Sequence, residues 1–72
     1  MKQQIIEVIE SVLMVPAGTI TEETVADDIA EWDSLAHVLI IGELESRLGI
    51  VIPLDEAIEI ESVKELFEKA GV

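Results

Sequence analysis

The stretch from Ser34 to Leu48 constrains the fold of this chain more than any other. Asp33 precedes it as an N-cap, because its carboxylate can accept from the unpaired amides of a first helical turn. Gly49 follows where a helix commonly closes in a left-handed residue. At about 100° per position, the apolar residues between these two signals fall into two groups. Ile40, Ile41, Leu44 and Leu48 lie on one side, with His37 among them. Leu35, Val38, Leu39 and Gly42 lie on roughly the opposite side, bordered by Glu45 and Ser46. The chain has 72 residues, enough for one domain, and a domain of that size buries only about 60% of the surface its unfolded form exposes. A helix in it is not covered all round. The first group is therefore expected to face the interior and the second to be open.

The rest of the chain supplies partners for the inward side. Ile5, Ile6, Ile9, Val12 and Leu13 form one stripe of an amphipathic helix from Lys2 to Val15, with Glu7 and Glu10 off it. Pro16 is expected to end that helix by disfavouring helical geometry at Val15, and Gly18 follows as a second breaker. From Ala17 to Asp33 the pattern dissolves, which predicts a long loop with a turn or two of helix, pinned by Ile20, Val25 and Ile29. Connections of this length inside a helical domain are commonly functional. Ile50-Val51-Ile52-Pro53 reads as an extended connector, and Asp55–Glu59 as one or two helical turns. Ser62-Val63-Lys64-Glu65 fits a reciprocal capping box opening a last helix, with Val63, Leu66, Phe67 and Ala70 inward and Gly71 as its stop. The expected fold is all-α, a small four-helix bundle of three main helices and one short one, with a long loop between the first two and no β-hairpin signal. Residues 1–72 read as a single domain.

Composition excludes several function classes. Four Lys and Arg stand against sixteen Asp and Glu, a net charge of −12, while half the residues are hydrophobic. That apolar content separates a folded domain with an acidic coat from a disordered acidic tail. Such a coat repels nucleic acid, whose phosphates require a basic footprint, and attracts basic patches on proteins. With no cysteine, the chain has neither disulfides nor a thiolate metal site, and any thiol chemistry has to be attached to it. No run approaches the roughly 18 apolar residues of a membrane span, and Met1-Lys2-Gln3-Gln4 lacks the flanks of a signal peptide. A cytoplasmic monomer, freestanding from its Met1 start, is the expectation. A calcium loop starting at Asp27 fails, because Ile29 and Trp32 occupy positions where a carboxylate and a glycine are needed.

Ser34 is the residue that carries chemistry. With Asp33 as cap it occupies the first helical position, so its hydroxyl is free to project outward where unpaired amides and the positive end of the helix dipole converge. That environment suits a phosphate. Nucleophilic catalysis lacks its partners: the only histidine, His37, is expected to point inward, and there is no G-x-S-x-G elbow. The chain is not expected to be an enzyme. His37 reads as a packing residue with one satisfied nitrogen, a proton carrier being the alternative. Trp32 reads as the cover of the loop–helix junction, a direct role at the site being the alternative.

Trp32-Asp33-Ser34-Leu35-Ala36-His37-Val38 opens a helix that ends in Glu43-Leu44-Glu45-Ser46-Arg47-Leu48-Gly49-Ile50, followed by Ile52-Pro53 and a short acidic segment. Over essentially its whole length the chain resembles the acyl carrier protein family. The resemblance implies that Ser34 is modified by a phosphopantetheinyl transferase using coenzyme A, with Asp33 as its supporting neighbour. It implies a covalent 4'-phosphopantetheine whose thiol holds acyl groups as thioesters while acyl-transferring, ligase or synthase enzymes act on them. It also implies that Ile40, Ile41, Leu44, Leu48 and Ile52 line or border an acyl-holding cavity. The helix from Ser34 would recognise partners through Leu35, Val38, Leu39, Gly42 and Glu45, against basic and apolar docking patches. The packing alternative has Leu35 tucked under the long loop.

One departure is informative. Carriers of primary fatty-acid synthesis typically place acids two positions after the serine and again three further on, where this chain has Ala36 and Leu39, and Arg47 interrupts the acidic run. The resemblance therefore points to a specialised carrier, for a secondary metabolite, a cell-surface glycolipid or an activated amino acid. An aminoacyl or peptidyl carrier is the alternative, although Glu31-Trp32 differs from the Gly-Gly-x-Ser lead-in of many peptidyl carrier domains. An unmodified acidic interaction module is a further rival, and it leaves Asp33-Ser34-Leu35 at a helix start as an accident.

The crowded charge yields a first prediction. Added salt or Mg²⁺ screens like-charge repulsion, so the melting temperature is expected to rise with ionic strength; a melting temperature independent of salt contradicts this.

Overall fold

In the computed structural model, which describes residues 1–72, four helices follow one another. They are α1 (Lys2–Leu13), α2 (Ser34–Leu48), α3 (Leu54–Ala57) and α4 (Val63–Ala70), with a turn of 3₁₀ helix at Ala26–Asp28. The all-α bundle expected from the periodicities is the observed one, and α2 has the bounds its flanking signals imply. α1 and α2 form the main helix pair and α3 packs on α4. Between them lies a core built around Ile5, Ile9, Ile40, Leu44, Val63 and Leu66, all fully buried, closed by Phe67, Ile52, Ile60 and Ala57.

α1 departs from expectation in three ways. Its buried arc runs through Ile5, Val8, Ile9 and Leu13, whereas Ile6 and Val12 are only half-buried. Glu10, expected off the stripe, is 6% exposed. The cause is the loop, which folds back over this side of the helix. The Glu10 carboxylate accepts through Oε2 from the N–H groups of Gly18 (2.8 Å) and Ile20 (3.1 Å). Burying a carboxylate is costly unless it is hydrogen-bonded, and here two amides satisfy it. The helix also ends before Pro16 can act. Met14 takes a left-handed conformation (φ 58°) and donates to the Glu10 carbonyl, as does Val15 (3.1 Å). A left-handed non-glycine residue costs on the order of 1–2 kcal/mol, and the bonds that converge on Glu10 offset it.

The long loop is held differently from the expected three apolar pins. Ile20 is buried and Ile29 half-buried, but the Val25 side chain is 40% exposed. Val25 is fixed through the main chain instead. It lies opposite Ser62 in an isolated antiparallel bridge, where Ala26 N–H donates to the Glu61 carbonyl (2.9 Å) and Val63 N–H to that of Thr24 (3.0 Å). This ties the loop to the start of α4. The capping box there is shifted by one residue. Ser62 Oγ accepts from Glu65 N–H (3.2 Å), but Glu65 Oε1 accepts from Glu61 N–H (2.9 Å) rather than from Ser62 N–H. α3 starts one residue earlier than expected, at Leu54, directly after Pro53.

Glu10 provides a test of this account. Glu10→Ala strands two amides, one of them buried, and is expected to cost about 1.5–3 kcal/mol. The urea midpoint should fall, with Glu10→Gln losing less because it keeps an acceptor. A loss within about 0.5 kcal/mol, as at an ordinary surface site, contradicts the role assigned to Glu10.

Candidate functional site

The site is assembled at the N-terminus of α2. Asp33 is extended (φ −94°, ψ −175°), and its Oδ1 accepts the Ala36 N–H at 2.8 Å. Its carbonyl accepts from His37 N–H (2.9 Å). These two bonds account for two of the first-turn amides. The Ser34 and Leu35 N–H groups have no acceptor within the protein. Ser34 is exposed, and its hydroxyl takes part in no internal hydrogen bond. A free hydroxyl, two open amides and the positive end of a helix dipole thus share one spot, which fits a phosphodiester.

Ser34 lies on the lip of a shallow concavity of ≈ 280 Å³, the only one in the molecule. Asp33, Trp32, His37 and Val38 line it from the α2 side, with Ala26 and Asp27 from the loop and Ile58, Ile60 and Glu61 from the segment after α3. The loop and post-α3 residues were not singled out by the sequence; the one legible sign was the alternation Ile58-Glu59-Ile60-Glu61. None of Ile40, Ile41, Leu44, Leu48 and Ile52 borders this space. Ile40, Leu44 and Ile52 are buried in the core, and Ile41 and Leu48 sit half-buried at its edge.

Behind Ser34, His37 joins three elements. Trp32 Nε1–H donates to His37 Nδ1 at 3.0 Å, and His37 Nε2 lies 2.7 Å from the Ala57 carbonyl oxygen. An indole nitrogen only donates and a carbonyl only accepts, so the ring is the neutral tautomer with its proton on Nε2. Both nitrogens are committed, where the sequence reading expected one. Trp32 is buried over the loop–helix junction as expected, its ring 6.1 Å from the imidazole at an interplanar angle of 27°.

On the outer side, Leu35, Val38 and Leu39 are 69%, 51% and 50% exposed, and Gly42 and Glu45 are exposed beside them. Leu35 is not tucked under the loop. A side chain at Gly42 would meet nothing within the protein, so its mid-helix cost of about 1 kcal/mol has no internal reason. Glu43 is held by Arg47 (Nε–Oε1 2.7 Å, one helical turn apart), which leaves Glu45 as the unpaired acid of this face. No helix is long and apolar enough to cross a membrane.

Comparison with known proteins agrees with this geometry. The family described as "Phosphopantetheine attachment site" matches residues 3–69. The chain is similar to the holo acyl carrier protein of Geobacter metallireducens, solved by solution NMR. The identity is 28% and the TM-score 0.82, over 97% of this chain and 80% of that one. No curated protein matches significantly. An exposed helix-start serine beside free amides is what a family defined by an attached phosphate ester requires, and the chain belongs to the phosphopantetheine attachment-site family.

Proposed function

We propose that the 4'-phosphopantetheine of this acyl carrier protein is attached at Ser34 Oγ. The observation that carries the assignment is Ser34 itself. It is the first residue of α2, exposed, without an internal hydrogen-bond partner, next to the open N–H groups of Ser34 and Leu35. The other serines and threonines lack this combination. Ser62, for example, spends its hydroxyl capping α4. Attachment forms an ester bond from Ser34 Oγ to the phosphate nearest the pantetheine of coenzyme A. The pyrophosphate bond breaks, adenosine bisphosphate leaves and the hydroxyl proton passes to the transferase or to solvent. The attached group supplies a thiol that carries acyl groups as thioesters. The protein's own part is to hold the ester at a rigid helix end and present its surroundings to partners; it is a carrier and not an enzyme.

Asp33 serves the site indirectly, since its cap on Ala36 N–H keeps α2 starting at Ser34. Leu35, Val38, Leu39, Gly42 and Glu45 form the docking face. Exposed apolar side chains around a glycine with free space on the outer side favour close approach of a partner helix or loop. With Glu43 neutralised by Arg47, partners meet this face chiefly through apolar contact, and with the surrounding acidic coat through basic rims. This separates the chain from the strongly acidic face of fatty-acid carriers and favours a specialised pathway. Residues 1–72 act in this reading as one carrier domain, monomeric and cytoplasmic, where coenzyme A and a transferase are at hand.

Incubation with coenzyme A, Mg²⁺ and a broad-specificity phosphopantetheinyl transferase is expected to raise the intact mass by one phosphopantetheine group, and Ser34→Ala to abolish the gain while leaving the helical fold intact. An unchanged mass, or a gain that survives Ser34→Ala, contradicts the assignment.

A further inference from the structure

We propose that His37 is a specificity-determining residue that bars cargo from the interior, so that this carrier holds short acyl groups in the surface concavity rather than long alkyl chains in its core. The inference rests on attachment at Ser34. His37 is the first residue of the inward row of α2 and precedes Ile40, Leu44 and Leu48 on the same side. Any route from Ser34 down that row passes the imidazole first. The ring is fixed at both nitrogens, to Trp32 of the loop and to Ala57 at the end of α3, and so spans the seam between α2 and α3.

Displacing the ring has unequal consequences. The Ala57 carbonyl keeps a second partner, the Ile60 N–H at 3.1 Å. The Trp32 indole N–H has only His37, and Trp32 is buried. Leaving a buried donor unpaired costs its full desolvation penalty, so the Trp32 bond is what keeps the ring in place. Behind the ring, Ile40 and Leu44 are completely buried and border no cavity. In front of it, half of the ten lining residues of the ≈ 280 Å³ concavity are polar, among them Asp27, Asp33 and Glu61. The exposed wall is nonetheless mainly apolar, from Ala26, Trp32, Val38, Ile58 and Ile60, and the space is small, which suits a short acyl group rather than a long chain.

The chain's single tryptophan and single histidine make the test clean. Holo-protein is loaded with straight-chain acyl groups from acetyl to decanoyl. For each, the hydroxylamine cleavage rate of the thioester and the Trp32 indole proton resonance are measured, in wild type, His37→Ala and His37→Gln. In wild type the cleavage rates are expected to agree within about twofold across the series, below the roughly fourfold effect of burying one methylene, and the indole resonance, which borders the concavity, to be the same from acetyl to decanoyl. His37→Ala is expected to protect long chains by about fivefold or more relative to acetyl, about what burial of one or two methylenes supplies. His37→Gln, which can still accept from Trp32 and donate to Ala57, should behave as wild type. Wild-type protection that grows with chain length, or an indole shift that grows with chain length, overturns the inference even if His37→Ala fails to fold. A His37→Ala variant that folds and shows a flat series overturns it as well. Failure of the loading step, with no gain of mass, is a failure of the attachment reading instead.

Discussion

One hydrogen bond, from the Ala36 N–H to the Asp33 carboxylate at 2.8 Å, fixes where α2 begins, and the arrangement of the rest follows from that register. A shift of one residue turns every side chain of the helix by about 100°. Ile40 and Leu44 would leave the core, Leu35 and Leu39 would leave the exposed outer face, and Ser34 would lose its place among free amides. Such a cap contributes only about 1 kcal/mol. Its importance lies in register more than in stability, because α2 has apolar residues on two sides and hydrophobicity alone defines its rotation poorly.

Polar connections complete what a thin core leaves loose. Glu10 gathers the start of the long loop onto α1. The bridge of Val25 with Ser62 ties the middle of that loop to α4. Trp32, His37 and the Ala57 carbonyl link its end to α2 and α3. The Glu10 and His37 bonds are buried or half-buried, and no buried side-chain polar atom is left unpaired. The surface ion pairs, Lys2–Glu22, Glu43–Arg47 and Lys69–Glu56, are exposed, and such pairs add little. The loop is thus tied by hydrogen bonds to α1 at its start, to α4 in its middle and to α2 and α3 at its end, where it borders the site.

The sequence reveals what is periodic or local and hides what is made by distant main-chain groups. The bounds of α2, its two faces and the caps at Asp33, Gly49 and Gly71 are legible because each is written within a few residues. Ser34 is legible for the same reason. Glu10 is not, since its partners Gly18 and Ile20 are brought to it only by a turn at Met14 that residue type disfavours. Val25 misleads because a valine in a loop reads as an apolar pin, whereas its backbone does the holding. The second bond of His37 depends on where α3 ends, and the acyl-lining expectation for Ile40, Ile41, Leu44, Leu48 and Ile52 followed inwardness. Inwardness alone does not distinguish a packed core from the wall of a cavity.

The central claim is that the helix-start hydroxyl bears the prosthetic group. A through-bond correlation between the phosphodiester phosphorus and side-chain protons of isotope-labelled holo-protein tests it most directly. The account predicts cross-peaks to the Ser34 β-protons and to no other serine or threonine. Cross-peaks to Ser11, Ser46, Ser62 or a threonine, with none to Ser34, would contradict it.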